Sequence, residues 1–226
     1  MSALELRNVA LTVAGRSLIG PIDVRIGSGE IIALLGPSGV GKSSLLKFLC
    51  GVLPGDFAAR GEVWLEGRNI TALVPQRRGV GILFQDDLLF PHLNVAGNLA
   101  FGLHASERSR SARTRCIEEA LESMGLEGFA GRDPATLSGG QRARVGLLRV
   151  LLSRPKALLL DEPFAHLDPR TRADVRQLVF DEVRRRSLPT LLVTHDVEDV
   201  RDTGGACLEL KPDSGGEECS TPAYSP

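Results

Sequence analysis

The residues Gly36-Pro37-Ser38-Gly39-Val40-Gly41-Lys42-Ser43 fit the spacing GxxxxGK[ST] at every position. Glycines so spaced let backbone N–H groups close around phosphate oxygens, because a Cβ would block the approach. A helix opening near Gly41 adds the positive end of its dipole. Lys42 then reaches the β- and γ-phosphates of a nucleotide, and the Ser43 hydroxyl ligates Mg²⁺. Ser44, next along the same helix start, joins the expected nucleotide contacts. A second feature is Asp161-Glu162, directly after the apolar run Leu158-Leu159-Leu160. Open parallel sheets bind ligands where buried strands emerge. There Asp161 would hold the metal shell, and Glu162 would orient or deprotonate an attacking water. Taken alone, such a pair often only caps a surface turn; the phosphate loop in the same chain favours the chemical reading. A third feature, Ser138-Gly139-Gly140-Gln141, places a hydroxyl and two glycines at a helix start, which makes a second anion site. One chain cannot easily fold both anion sites around the same phosphate.

The elements that must position these residues are visible in the pattern. Leu4–Leu6, Ala10–Val13, Ile22–Ile26 and Ile31–Leu35 read as short strands separated by glycine-containing turns. The continuous apolar run of Ile31–Leu35 fits a strand buried on both faces. Leu45, Leu46 and Leu49 mark the inward side of the helix after the phosphate loop, which Gly51 and Pro54 end. Glu62–Glu66 and Gly81–Phe84 read as further strands. Residues 86–137 lack clear strands and read as a helical segment inserted into the strand-rich core, with Ile117, Leu121 and Met124 at helical spacing and Gly125 as the stop. A helix from Ser138 carries Val145, Leu148 and Leu152 inward. Ala157–Leu160 and Leu191–Thr194 are further buried strands. Asp168-Pro169 caps a helix whose inward side holds Val175, Leu178 and Val183.

The chain has 226 residues, 42% hydrophobic and 24% charged, with a net charge of -1. That suits one large domain over residues 1–210, with no staple needed for stability. The charge balance argues against a nucleic-acid partner, whose binders are usually basic. No apolar run approaches the roughly 20 residues of a membrane-spanning helix, and the first sixteen residues do not read as a secretory signal. Cys50, Cys116, Cys207 and Cys219 match no metal or redox spacing, so they read as free thiols of a reducing cytoplasm. Residues 211–226, rich in Ser, Gly, Pro and Glu, read as a disordered tail.

Leu137-Ser138-Gly139-Gly140-Gln141 resembles the signature of the ATP-binding-cassette ATPases, and the other motifs follow in that family's order. They are the loop 36–43, Phe84-Gln85-Asp86, the signature, the acidic strand 158–162, Leu167-Asp168 and Thr194-His195-Asp196. The resemblance covers residues 3–210. It implies an α/β fold: a P-loop NTPase core with an N-terminal antiparallel β subdomain and an inserted α-helical subdomain. It implies ATP and Mg²⁺, and a head-to-tail homodimer with ATP between the phosphate loop of one copy and Ser138, Gly139, Gly140 and Gln141 of the other. By the same resemblance Gln85 contacts the metal and the water and senses the helical lobe. His195 contacts the γ-phosphate, and Asp168 lies on the loop facing the partner copy. Glu162, His195 and Gln85 are thus the expected catalytic residues, and Ser43, Gln85 and Asp161 the expected metal ligands. His92, His104 and His166 have no such support and read as surface residues.

The segment Leu88–Leu103 is similar to the region after the glutamine in bacterial importers for thiamine, iron, sulfate and polyamines. Gly61–Trp64, Gly81–Gln85 and Asp133–Val145 resemble an uncharacterised cassette subunit of thiamine-importer-like operons. The resemblance implies separate membrane permease subunits and a solute-binding protein beyond them, with this chain cytoplasmic and peripheral on the membrane. A non-import machine, such as lipoprotein release, export or cell division, is the alternative. Phe90, Leu93, Val95, Leu99 and Phe101 either line a groove for the permease or form the lobe's own core. Arg108, Arg110, Arg113 and Arg115 read as a solvated helix face. Two departures stand out. Val13 occupies the place where the family commonly has an aromatic that stacks on adenine, which predicts weaker binding or poor base discrimination. Residues 211–226 are also too short to fold the C-terminal regulatory domain that many importer subunits carry.

Overall fold

The computed structural model describes residues 3–86, 88–107, 109–204 and 206–210. The expected tail 211–226, Cys219 and Arg108 lie outside the described residues. In chain order the elements are β1 (Leu4–Val13), β2 (Arg16–Ile26), β3 (Ile31–Leu35), α1 (Lys42–Cys50), β4 (Phe57–Leu65), β5 (Arg68–Asn69), α2 (Pro75–Arg78) and β6 (Val80–Leu83). There follow α3 (Val95–Gly102), α4 (Arg110–Ser123), a 3₁₀ turn (Pro134–Thr136), α5 (Gly139–Leu151), β7 (Ala157–Asp161), α6 (Pro169–Arg185), β8 (Thr190–Val193), α7 (Val197–Asp202) and β9 (Cys207–Glu209). They group into two compact units. One takes the chain up to residue 82 with 156–162 and 180 onward, and the other takes 83–155 and 163–179.

The first unit holds two sheets, ordered β2-β1-β4-β5 and β6-β7-β8-β3-β9. The pairs within the four-stranded sheet are antiparallel, and β3 pairs in parallel with β8 and β9, as β7 does with β8. β3 and β7 are buried at four of five positions and β8 at all four. That is why their sequences are continuous apolar runs rather than alternating ones. The two strands expected within residues 4–13 are one strand. The pattern breaks at a bulge, where the register shifts between Leu6 and Val9 and Asn8 takes φ 50°. Ala14-Gly15, with φ 49° and 75°, closes the β1–β2 hairpin as a tight turn. β4 starts at Phe57, upstream of the expected Glu62, because residues 57–60 pair with Ala10–Val13 of β1; largely exposed and without alternation, they carry no strand pattern. Cys50, Cys116 and Cys207 are unbridged.

A buried cation ties the end of α1 down. Arg78 is 6% exposed, and its Nη1 donates to the carbonyls of Phe48 at 2.7 Å and Leu49 at 3.0 Å. Its Nε and Nη2 donate to the carbonyls of Leu73 and Thr71. A guanidinium at a helix C-terminus satisfies orphan carbonyls and opposes the dipole. Burial lowers its affinity for the proton, with Cys50 opposing, and burial pushes the Cys50 thiol up to about 11.

In the second unit, Ile117, Leu121 and Met124 are buried as expected, and Gly125 with φ 64° follows the end of α4. Val95 and Leu99 are fully buried, so they belong to the unit's core and cannot line a groove. Phe101, 71% exposed, is the member of that set that faces solvent, with its ring 4.8 Å from that of half-buried Phe90. Along α6 the buried apolar residues are Val175, Val179, Phe180 and Val183; Leu178 is only half-buried. The stripe runs at i, i+4, i+5 and i+8, so the expected Leu178 is one position out of phase.

Candidate functional site

β3 ends at Leu35 and the chain turns through Gly36–Gly41 into α1. Gly36 and Gly41 take φ 147° and 104°. A Cβ on Gly41 would sit 2.9 Å from Ile19 and Leu18 of β2, so this position requires glycine. α1 has no side-chain cap at its start, which leaves its first N–H groups to an external acceptor. Val40 is buried and pins the loop from below, whereas Pro37, Ser38 and Gly39 are exposed. Lys42 is only 8% exposed, and the loop curls around its ammonium. Nζ donates to the carbonyls of Gly36 at 2.6 Å and Pro37 at 3.0 Å. An ammonium has three donors, so one remains for a phosphate oxygen.

The neighbouring strand end supplies the acids. β7 delivers Asp161, whose Oδ1 accepts from the Ser43 hydroxyl at 3.4 Å. Burial pushes the Asp161 carboxyl above its ordinary value. The Ser43 hydrogen bond and Lys42 oppose that shift, and Glu162 adds to it. A carboxylate reluctant to ionise, beside a hydroxyl, is a setting that a hard divalent cation would stabilise. Mg²⁺ is commonly bound by one or two carboxylates plus substrate phosphates. The all-oxygen pair Ser43 and Asp161 fits that ion. Among the described residues no cluster of three or more His, Cys, Asp or Glu forms a self-sufficient metal cage, so phosphate oxygens would have to supply the remaining ligands.

Glu162 sits in the left-handed region at φ 46°, a conformation that costs an ordinary side chain about 1 kcal/mol or more. Its backbone N–H donates to the Val193 carbonyl of β8 at 2.9 Å. The strained turn aims the carboxylate toward the second residue after β8, and Oε2 lies 3.1 Å from His195 Nδ1. The first unit thus brings together the phosphate loop, Asp161, Glu162 and His195 at the C-terminal ends of β3, β7 and β8.

The second unit holds the remaining candidates. Ser138 caps α5. Its Oγ accepts from the Gln141 N–H at 3.3 Å, and Gln141 Oε1 accepts from the Ser138 N–H at 2.9 Å, a reciprocal capping box. Gly140 is buried, and a Cβ there would collide with Thr171, so this glycine serves close packing as well as any anion. Asp168 caps the start of α6 through the Thr171 N–H at 3.1 Å. Hydrogen bonds from Thr171 hold its carboxyl below the usual carboxylate range. Gln85 and Gly139 line a cavity of about 250 Å³ with Asp86, Arg142 and His166. There Gln85 Nε2 lies 3.4 Å from His166 Nε2. His166 is exposed, as its sequence suggests, yet it is the side chain that meets Gln85. Nothing in its spacing signals that contact, because the two residues are far apart in sequence and meet only through the fold. Val13 lies at the end of the β1–β2 hairpin, paired with Arg16 on β2 and with Phe57 on β4.

Known proteins share this pattern. A family model described as ABC transporter matches residues 19–165. An uncharacterized ABC transporter ATP-binding protein of Escherichia coli (strain K12), YnjD, is 48% identical over 197 residues, which are 87% of this chain and 90% of that protein. The sulfate/thiosulfate import ATP-binding protein CysA of Gloeobacter violaceus is 43% identical over 211 residues, 92% of this chain and 60% of that protein. Its namesake in Nocardia farcinica is 44% identical over 199 residues, 88% of this chain and 59% of that protein. The chain therefore spans about three fifths of these two sulfate/thiosulfate relatives.

Proposed function

Since the chain belongs to the ABC transporter family and is one of its ATP-binding ATPase subunits, we propose that it couples ATP hydrolysis to passage of a small solute through a separate membrane permease. The observation that carries this reading is the convergence of Lys42, Ser43, Asp161, Glu162 and His195 at one sheet edge. The import relatives favour uptake over an export or release machine. The name sulfate/thiosulfate import among them supports an inorganic oxyanion, within a class that includes thiamine-like and polyamine solutes. No helix among the described residues is long and apolar enough to cross a membrane, which agrees with a permease on other chains. Contact with that permease places the subunit on the inner face of the membrane, and a solute-binding protein delivers the solute from the far side.

Within the site the residues divide the work. The backbone of 36–44 and the remaining Lys42 donor hold the phosphates. Ser43 and Asp161 would hold Mg²⁺, which would supply charge neutralisation on the phosphates; the family resemblance adds Gln85 as a further ligand. Glu162 orients the attacking water and accepts its proton. His195 Nδ1 lies beside Glu162, which leaves Nε2 on the other side of the ring for the γ-phosphate. A second copy contributes Ser138, Gly139, Gly140 and Gln141 to the opposite side of the nucleotide, with Asp168 at the junction. The test is Glu162→Gln. It keeps ATP affinity within a few fold and lowers turnover by at least about 100-fold. Normal turnover in that variant would remove Glu162 from the reaction.

A further inference from the structure

His195 has little packing to hold it. Its side chain is 66% exposed, and it borders an open cavity of about 640 Å³ together with Pro37, Val197 and Val200. Apart from the contact with Glu162, its position comes from the backbone of the turn between β8 and α7. That turn is organised around one buried hydroxyl. Thr194 is 3% exposed. Its Oγ1 donates to Asp199 Oδ2 at 2.5 Å and accepts from the Asp196 N–H at 3.0 Å. The two bonds straddle His195, one anchored in α7 and the other on the residue just after the ring. Asp199 is also 3% exposed, and Asp196 Oδ1 accepts from the Glu198 N–H at 2.9 Å, which fixes the start of α7. On the strand side the Thr194 N–H reaches the Leu34 carbonyl of β3, one residue before the strand ends and two before the phosphate loop.

A carboxylate this buried is costly unless hydrogen-bonded. Asp199 caps no helix and lies in neither the phosphate loop nor the acidic strand end. We propose that Asp199 is a positioning residue: through the Thr194 hydroxyl it locks the turn that presents His195 to Glu162 and to the γ-phosphate. This proposal rests on the reading of His195 given above. Asp199 itself touches no nucleotide and acts only through the turn.

The test uses the full chain and two readouts, steady-state ATP turnover and the imidazole NMR signals of its 4 histidines. Thr194→Val removes the bond while keeping the shape of the side chain, and Asp199→Ala removes it from the other end. Both variants shift the His195 resonances and leave those of His92, His104 and His166 in place. Both lower kcat by roughly 10- to 100-fold, as a misplaced catalytic group does, with KM for ATP within about threefold. Thr194→Ser and Asp199→Asn, which keep a donor and an acceptor, recover most of the turnover. Should Asp199→Ala fail to fold, Thr194→Val decides. Unshifted His195 signals or unchanged kcat in Thr194→Val overturn the proposal, as does a loss that the conservative variants do not rescue. If instead His195→Ala hydrolyses ATP at the normal rate, the assignment of His195 fails first, and that result is distinct from a slow His195→Ala beside a normal Thr194→Val.

Discussion

At the scale of the single residue, Lys42 carries the phosphate contact in the proposed site. Two of its donors already hold the loop through Gly36 and Pro37, so its loss opens the loop and removes a charge at once. Charge-assisted bonds contribute about 1.5–3 kcal/mol each, so Lys42→Ala should weaken ATP binding by at least about tenfold, as measured by calorimetry. Unaltered affinity would take Lys42 out of the site. Val13 makes the opposite kind of prediction. It stands where an adenine platform is expected and offers no ring, so ATP and GTP should bind with comparable affinity. Stacking a base on an aromatic is worth about 1–3 kcal/mol, so Val13→Tyr should tighten ATP binding by about tenfold. A strong native preference for ATP, or no gain in Val13→Tyr, would mean that the base rests elsewhere. The candidates Lys42, Ser43, Asp161 and Glu162 are legible from their places in a glycine loop or after an apolar strand, whereas the roles of Gln85 and His195 come from the family resemblance alone. His166 is not legible, since its partner Gln85 is 81 positions away in the chain.

Elements decide whether those residues stay in place. α1 carries the phosphate loop at one end and is tied at the other by Arg78. Arg78→Met leaves several buried carbonyls without donors, and the expected loss is about 3 kcal/mol or more in urea unfolding. A loss below about 1 kcal/mol would show that water replaces the guanidinium. On α6, Glu182 is 8% exposed and hydrogen-bonded by Arg185 and Arg186. Burial pushes its carboxyl up, but the bonds and charges of the two arginines outweigh burial and hold it below its ordinary value of 4.5. The folded state therefore favours the ionised form, and this stabilisation is present above pH 4.5 and lost as pH falls through the lowered value. The melting temperature of Glu182→Gln should lie below wild type at neutral pH and converge with it in acid; a constant gap would contradict the assignment. Legibility at this scale followed hydrophobic pattern. The runs of β3, β7 and β8 and the stripe of α4 were readable because burial alone shapes them. The β1 bulge, the phase of α6 at Leu178 and Val179, and the short α7 and β9 were not, because tertiary pairing sets them rather than local period. Val95 and Leu99 were ambiguous for the same reason: an apolar residue on an amphipathic segment reads alike whether it meets its own core or another chain.

For the molecule as a whole, the two stretches proposed to bind anions fall in different compact units, Gly36–Ser44 in the first and Ser138–Gln141 in the second. In the proposed mechanism they lie on opposite sides of one nucleotide, contributed by two copies of the chain, as an isologous dimer allows. Turnover should then rise with protein concentration faster than linearly at low concentration. The most direct measurement is the molar mass of Glu162→Gln in solution with and without ATP and Mg²⁺, by light scattering after gel filtration. The mass should double when nucleotide is added and return to that of one chain when Ser138→Arg is combined with Glu162→Gln. A single-chain mass with ATP bound, beside a wild-type protein that hydrolyses ATP at full rate as a monomer, would contradict that mechanism.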